Sequence, residues 1–342
     1  MREKPSSLDE CLAFKTIYLQ LFIFQLVYNE IFGVYNMQTI LGSSGVIGKE
    51  LAKSLTEYTK EIRLVSRNPK KINKNNELFS ADLTNAEQTI KAVEGSEVVY
   101  LTAGFQYDIK IWRAQWPVVM KNVIEACKQS NSKFVFFDNV YSYGKVDGWM
   151  TEETPINPVS EKGKVRAGLH NMIMDEVEKG NLKAIIARAA DFFGPDTPLS
   201  FVNIMVFENF KKGKKAQWFI DVNKKHSFTY TPDAGKGTAI LGNTESAYNQ
   251  VWHLPTNRNV LSGKDFIELA AKAMSVKPDY TIVRKWMVQM LGLFNKVIKE
   301  NVEMLYQNDS DYLFDSTKFE TTFNFNPISY EEGIIETVKS MK

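Results

Sequence analysis

The chain has 342 residues, with 42 Lys and Arg against 40 Asp and Glu, a net charge of +2, and is 44% hydrophobic and 24% charged. That is enough for one α/β domain and a smaller lobe, and with no basic block it speaks against a nucleic-acid partner. Two distant cysteines, Cys11 and Cys127, and three scattered histidines, His170, His226 and His253, exclude a disulfide framework and a cysteine-rich zinc site, leave no metal cluster expected, and fit a reducing, cytoplasmic compartment.

Cys11 to Tyr35 is rich in Phe, Ile, Leu and Tyr, but Lys15, Gln20, Gln25, Asn29 and Glu30 interrupt it. A spanning helix needs ~20 mainly apolar residues, and the small-residue cleavage site of a secretory leader is missing before Asn36. No membrane association is expected. Met37-Gln38-Thr39-Ile40-Leu41-Gly42 reads as the natural start of a dinucleotide-binding domain, which makes 1–36 an extension outside the fold. An amphipathic helix lying on the surface is the alternative.

The short apolar strand Thr39–Leu41 runs into a loop with Gly42, Gly45 and Gly48, and a helix follows at Lys49-Glu50-Leu51. Gly42 permits the tight turn, Gly45 lets backbone approach a pyrophosphate, and Gly48 lets helix pack on strand. The first N–H groups and the positive dipole end of the helix then face the anion. Gly42, Ser44, Gly45, Val46, Ile47 and Gly48 are the candidate phosphate-binding residues. This G-x-x-G-x-x-G spacing after a strand resembles the extended and atypical short-chain dehydrogenases/reductases, the superfamily of nucleotide-sugar epimerases and dehydratases. The resemblance implies an α/β fold with a Rossmann-type doubly wound parallel sheet over 37–195. A smaller substrate lobe would occupy 196–342, with some of its segments returning to the sheet.

The second strand, near Glu61–Ser66, ends over the adenosine ribose in such folds. An acidic residue there would accept the ribose 2′-hydroxyl; this chain has Ser66 and Arg67, and a guanidinium suits a 2′-phosphate. The reading is therefore NADP(H) over NAD(H), with a solvated surface arginine as the plain alternative. Asp82-Leu83 resembles the family pair that contacts adenine; a turn or helix-cap role before 85–94 is equally physical for Asp82. The strand Val98–Leu101 ends in Thr102, Ala103 and Gly104, whose small side chains leave room for the nicotinamide half. Trp112 to Cys127 reads as a long helix, with Pro117 in its first turn or at a kink.

Lys133–Asp138 is the next strand, and Asn139-Val140-Tyr141-Ser142-Tyr143-Gly144 resembles the Ser-Ser-x-x-x-Tyr-Gly segment of the extended members. Asn139 stands where they carry the catalytic Ser or Thr; it can donate a hydrogen bond but cannot relay a proton as a hydroxyl does. The family's Tyr-x-x-x-Lys pair, one helical turn apart, is expected in Val159–His170, and no tyrosine occurs there. Two registers are open, Lys162 with Arg166 or Ser160 with Lys164. The first is preferred, because Lys-Gly-x-Val-Arg is similar to atypical members that lack the tyrosine. Lys162 would then be the acid, if desolvation lowers its pKa, and Arg166 the ribose or phosphate holder; two solvated surface charges are the plain alternative. Tyr141 is a further phenol near the site.

Ala184–Arg188 followed by Ala189-Ala190-Asp191-Phe192-Phe193-Gly194-Pro195 resembles the family stretch that leads to the substrate lobe. Arg188 is a cofactor candidate, while Asp191 and Phe192 would line the pocket and His226 would face substrate or be structural. Helices are expected at Phe266–Ala273 and 330–341. The resulting expectation is an NADP(H)-dependent oxidoreductase, monomeric or homodimeric, acting on a small carbonyl-type molecule. An NADP-binding redox sensor and a nucleotide-sugar epimerase or dehydratase are the alternatives.

Overall fold

The computed structural model describes residues 37–341, and the reading of 1–36 as an extension lies outside them. Seven strands form the main sheet: β1 Met37–Leu41, β2 Ile62–Ser66, β3 Glu77–Ser80, β4 Ser96–Leu101, β5 Lys133–Asn139, β6 Ala184–Ala189 and β7 Gln250–His253. Their spatial order is β3-β2-β1-β4-β5-β6-β7, and every neighbouring pair is parallel. The order reverses beside β1, which creates the crevice where such sheets bind ligands.

The strands are apolar on both faces because helices cover both. Ile40, Tyr100, Val135 and Phe137 pack toward α1 (Val46–Ser54) and α5 (Thr231–Gly242). Their alternating neighbours Leu41, Leu101, Phe134 and Phe136 pack toward α2 (Ala86–Val93), α3 (Ile109–Gln129) and α4 (Glu161–Glu178). Helix α1 begins at Val46, earlier than the expected Lys49, so Gly48 is already helical. Pro117 lies inside α3, not in its first turn, where its missing N–H leaves the Arg113 carbonyl without its helical donor.

Both α5 and β7 come from beyond residue 195, so the later half of the chain completes the sheet. The rest of that half builds a second core of aromatic residues, including Phe193, Trp218, Phe228, Phe266 and Tyr330. Its helices Gly263–Met274 and Tyr330–Ser340 each start on a capping box, Ser262 with Asp265 and Ser329 with Glu332.

Candidate functional site

The loop after β1 contains three glycines with three different reasons to be glycine. Gly42 has φ +97°, and a Cβ on it would fall 2.4 Å from the Ala103 backbone. A Cβ on Gly48 would fall 2.8 Å from the Gly42 carbonyl oxygen and the Ser43 Cα. Gly45 differs: its φ of −74° suits any residue, and a Cβ there would come no nearer than 3.5 Å to the protein. Gly45 is also the N-cap of α1, where no side chain caps the helix and no acidic residue enters the first turn. The positive end of α1 and its free N–H groups are thus left to the outside, beside a residue without a side chain. This geometry fits a pyrophosphate.

Around that loop, the Ser44 hydroxyl donates to the Ser66 hydroxyl at 2.8 Å, linking the loop to the end of β2. Val46 starts the helix at its rim, while Ile47 is buried in the core beneath. Arg67 is exposed, and among the described residues its guanidinium has no hydrogen bond or ion pair; its own carbonyl accepts the Ser80 hydroxyl at 2.9 Å. Asp82 is exposed nearby as a turn residue, and the cap of α2 is Asn85. The Thr84 N–H and hydroxyl hold the Asp82 carboxyl below its ordinary pKa, with the Arg67 charge a smaller cause. Leu83 is buried, and its carbonyl accepts from Asn122 at 2.9 Å. Ala103 packs against Gly42, Thr102 lies beside the Gly42 carbonyl, and Gly104 is exposed with open space around it.

A second group of polar side chains gathers at the carboxyl ends of β4, β5 and β6. The Asn139 amide oxygen accepts the Tyr141 N–H at 3.1 Å, which leaves its two amide donors unpaired among the described residues. The Tyr141 ring stacks on Trp112, with centroids 6.4 Å apart. The Tyr141 hydroxyl faces that of Tyr107, and burial, then the Asp191 charge, push its pKa well up, so the phenol stays protonated. Asp191, just past β6, accepts from or pairs with His226 Nε2 at 2.9 Å, and the His226 ring stacks on Tyr312 at 4.3 Å.

Lys162 and Arg166 both turn inward on α4, so neither is a solvated surface charge. Ser160 caps α4 through the Gly163 N–H, and Lys164 is exposed and paired with Glu161, so that register holds no inward pair. The Lys162 ammonium is wholly buried. Its donors go to the Glu300 carbonyl at 2.9 Å, the Glu300 carboxylate at 2.6 Å and Glu303 at 2.8 Å. An ammonium has three donors, so Lys162 has none left for a substrate in this arrangement. The same two carboxylates accept the first N–H groups of α3 and α4, from Ile109 at 2.9 Å and Glu161 at 2.6 Å.

Arg166 lies against the interior strand β5, 3.1 Å from Asp138 and against the rings of Trp112, Trp116 and Phe136. Arg188 is likewise enclosed, by Asp138 at 3.4 Å, His170 at 3.1 Å and the Tyr143 ring. The structure does not bring Arg166 or Arg188 to the glycine loop. Sequence reading missed Tyr107, Glu300 and Glu303; the carboxylates lie 138 and 141 residues from Lys162, and no local pattern marks them. Among the described residues no three His, Cys, Asp or Glu side chains are placed to hold a metal ion.

The sequence model of the NAD dependent epimerase/dehydratase family matches residues 39–251, well over half of the chain. The chain belongs to this family. Among curated proteins, an Arabidopsis thaliana 3β-hydroxysteroid-dehydrogenase/decarboxylase isoform is 28% identical over 44% of this chain. An uncharacterised UDP-glucose epimerase of Bacillus subtilis is 25% identical over 48% of it. The matched stretch spans 28% and 53% of those two proteins. Among solved structures, the UDP-glucuronic acid 4-epimerase of Bacillus cereus, with UDP-glucuronic acid and NAD, superposes with a TM-score of 0.74 at 16% identity. That match covers 89% of this chain and 99% of that one. The dTDP-glucose 4,6-dehydratase of Bacillus anthracis, in complex with NAD, gives 0.73 at 17% identity, covering 89% and 96%. The extended short-chain dehydrogenase fold expected from the glycine spacing is the fold observed.

Proposed function

We propose that this family member binds NADP(H) along the Gly42–Gly48 loop and reduces a small carbonyl compound at the carboxyl ends of β4 and β5. The observation that carries the reading is Gly45, whose missing side chain serves nothing inside the protein and opens an uncapped helix end to an anion. The preference for the 2′-phosphate rests on the unengaged Arg67 guanidinium at the end of β2. Ser44, Val46, Asp82, Leu83, Thr102, Ala103 and Gly104 would line the rest of the cofactor's path. NADPH, when bound, supplies the hydride that the carbonyl carbon takes. The Asn139 amide donors hold the carbonyl oxygen, and the Tyr141 hydroxyl, kept protonated by burial, gives that oxygen its proton. The product is the alcohol, and the phenolate takes its replacement proton from solvent, relayed by the facing Tyr107 hydroxyl. Two cysteines, of which Cys127 is a buried free thiol, support a reducing compartment such as the cytoplasm.

The test is oxidation of NADPH by the full chain across a broad panel of aldehydes and ketones. Turnover by the wild type is expected, and Tyr141→Phe should lower kcat by about 10²–10⁴-fold with NADPH affinity unchanged. Absence of turnover across the panel would count against a reductase, and a fully active Tyr141→Phe would remove the role given to that phenol. A second reading, dinucleotide binding without turnover, is favoured by Lys162, whose donors are all taken. An epimerase or dehydratase acting on a nucleotide sugar with NAD is what the solved neighbours suggest; Arg67 and the lack of a tyrosine in 159–170 speak against it.

A further inference from the structure

The helix Lys285–Gly292 is apolar on both sides. Its inner side, with Val288 and Met287, packs into a small core with Val283, Leu305 and Val302. Its outer side carries Trp286, Met290 and Leu291 in water, and the turn that follows adds Leu293 at 79% exposure and Phe294 at 87%. Trp286, Met290 and Phe294 recur at four-residue spacing, which puts them on one stripe. Single exposed apolar residues need no explanation, but five within nine positions form a patch that marks an interaction surface.

The charge around the patch identifies what it fits. Residues 280–299 contain no Asp or Glu and four basic residues, Arg284, Lys285, Lys296 and Lys299, all exposed. Asp108 pairs with Lys296, and the nearby Glu300 and Glu303 carboxylates both turn to the buried Lys162 ammonium, which offsets one of their two charges. Arg284 and Lys285 at the start of the helix, and Lys299 after the turn, are exposed and make no ion pair among the described residues, so the rim of the patch is basic. Trp, Leu and Phe on one face with Lys and Arg at the rim is the chemistry of a segment that lies in an anionic lipid surface. We propose that residues 284–299 are a docking surface for an anionic membrane, holding the protein at the bilayer without crossing it. In agreement, among the described residues no helix is long and apolar enough to span one. Gln289, Leu293 and Lys299 also line a cleft of about 430 Å³ that reaches Lys162, so docking would set the cleft mouth at the lipid surface. The inference stands apart from the cofactor reading, because none of these residues belongs to the glycine loop.

The experiment is co-sedimentation of the full chain with vesicles of phosphatidylcholine alone, and of phosphatidylcholine with about 30% phosphatidylserine. The wild type should bind the anionic vesicles at least about tenfold more tightly than the neutral ones, with the difference lost at high salt. Leu293→Ser with Phe294→Ser should weaken binding to the anionic vesicles at least about tenfold. Arg284→Glu with Lys285→Glu should remove the preference for them. All four side chains are exposed, so the thermal midpoint and NADPH titration of the variants report that the fold and cofactor site are intact. The proposal is overturned if the wild type binds neither vesicle. It is overturned equally if both double variants bind as the wild type does, which would move membrane binding to another segment. A concentration-dependent dimer that Leu293→Ser with Phe294→Ser abolishes, without vesicle binding, would assign the patch to a second copy instead.

Discussion

Asp138 has no exposed surface and lies between two guanidinium groups, Arg166 at 3.1 Å and Arg188 at 3.4 Å. Among the described residues its carboxylate is the only counter-charge paired with either, and removing one member of a buried ion cluster leaves the others unpaired at a cost of about 3–5 kcal/mol. Asp138→Asn keeps the shape and removes the charge, so it should lower the unfolding free energy by about that amount in urea titration; a loss below about 1 kcal/mol would mean the guanidiniums find another partner. Next to this cluster His170 is lowered from 6.5 to about 4, first by burial and then by the Arg188 charge. His253 is lowered from 6.5 to about 3, again first by burial; its Nδ1–H donates to the Asp315 carbonyl at 2.7 Å and its Nε2 accepts the Tyr143 hydroxyl at 2.8 Å, so the neutral ring is fully bonded. The unfolded chain protonates both rings near 6.5 while the folded one does not, so their contribution is complete above that pH and falls as pH drops toward 4. The loss should be on the order of 3 kcal/mol per ring. His170→Gln should flatten the stability profile between pH 6.5 and 4; an unchanged acid slope would show that the ring does not titrate on unfolding. At this scale the sequence was legible in spacing and mute about partners. The four-residue interval sets Lys162 and Arg166 on one face, but the Glu300 and Glu303 that occupy Lys162 come from the distant helix Lys296–Val302 and the turn after it, and Asp138 turns Arg166 and Arg188 inward from a strand whose pattern shows only that it is buried.

The loop–helix element at 42–54 is readable from its glycine spacing, although only Gly42 and Gly48 answer a steric demand within the protein. The helix start was misplaced by three residues, since Gly48 reads as a loop residue and is tolerated in the first turn of α1 by its contact with the Gly42 carbonyl. The different demands give a prediction. Gly42→Ala forces a side chain onto φ +97° and into Ala103, and should destabilise the fold by a few kcal/mol. Gly45→Ala meets only ordinary contacts within the protein and should change stability by less than about 1 kcal/mol. If the space beside Gly45 is kept for pyrophosphate, that same substitution should weaken NADPH binding at least about tenfold, the methyl pushing the phosphate off the helix end. Thermal melting and cofactor titration on the two variants check it; a stable Gly45→Ala that binds NADPH as the wild type does would contradict the cradle. Pro117 shows the limit of the local rule: apolar contacts of Trp112, Trp116, Val119 and Met120 in the core continue α3 past a residue that propensity would place at an end.

At the scale of the whole molecule, the alternation of strand and helical patterns from Met37 to Arg188 points to the parallel sheet, because a parallel strand pair needs a crossover connection, usually a helix; β2 and β3 are the exception, paired across a loop. The return of α5 and β7 to that sheet was visible only through family resemblance, since 231–253 has no pattern of its own that names its neighbours. A net charge of +2 likewise conceals the basic apolar surface at 284–299, which depends on which face of one short helix the lobe leaves outside. The proposed NADP(H) preference joins the glycine loop to Arg67 across the ends of β1 and β2, and calorimetric titration of NADPH and NADH into the wild type and Arg67→Ala measures it. A guanidinium on a 2′-phosphate is worth ~1.5–3 kcal/mol, reduced where solvent screens it. The wild type should prefer NADPH, and Arg67→Ala should weaken NADPH by roughly ten- to a hundredfold while leaving NADH unchanged. A wild type that prefers NADH, equal weakening of both by the substitution, or no binding of either cofactor would contradict it.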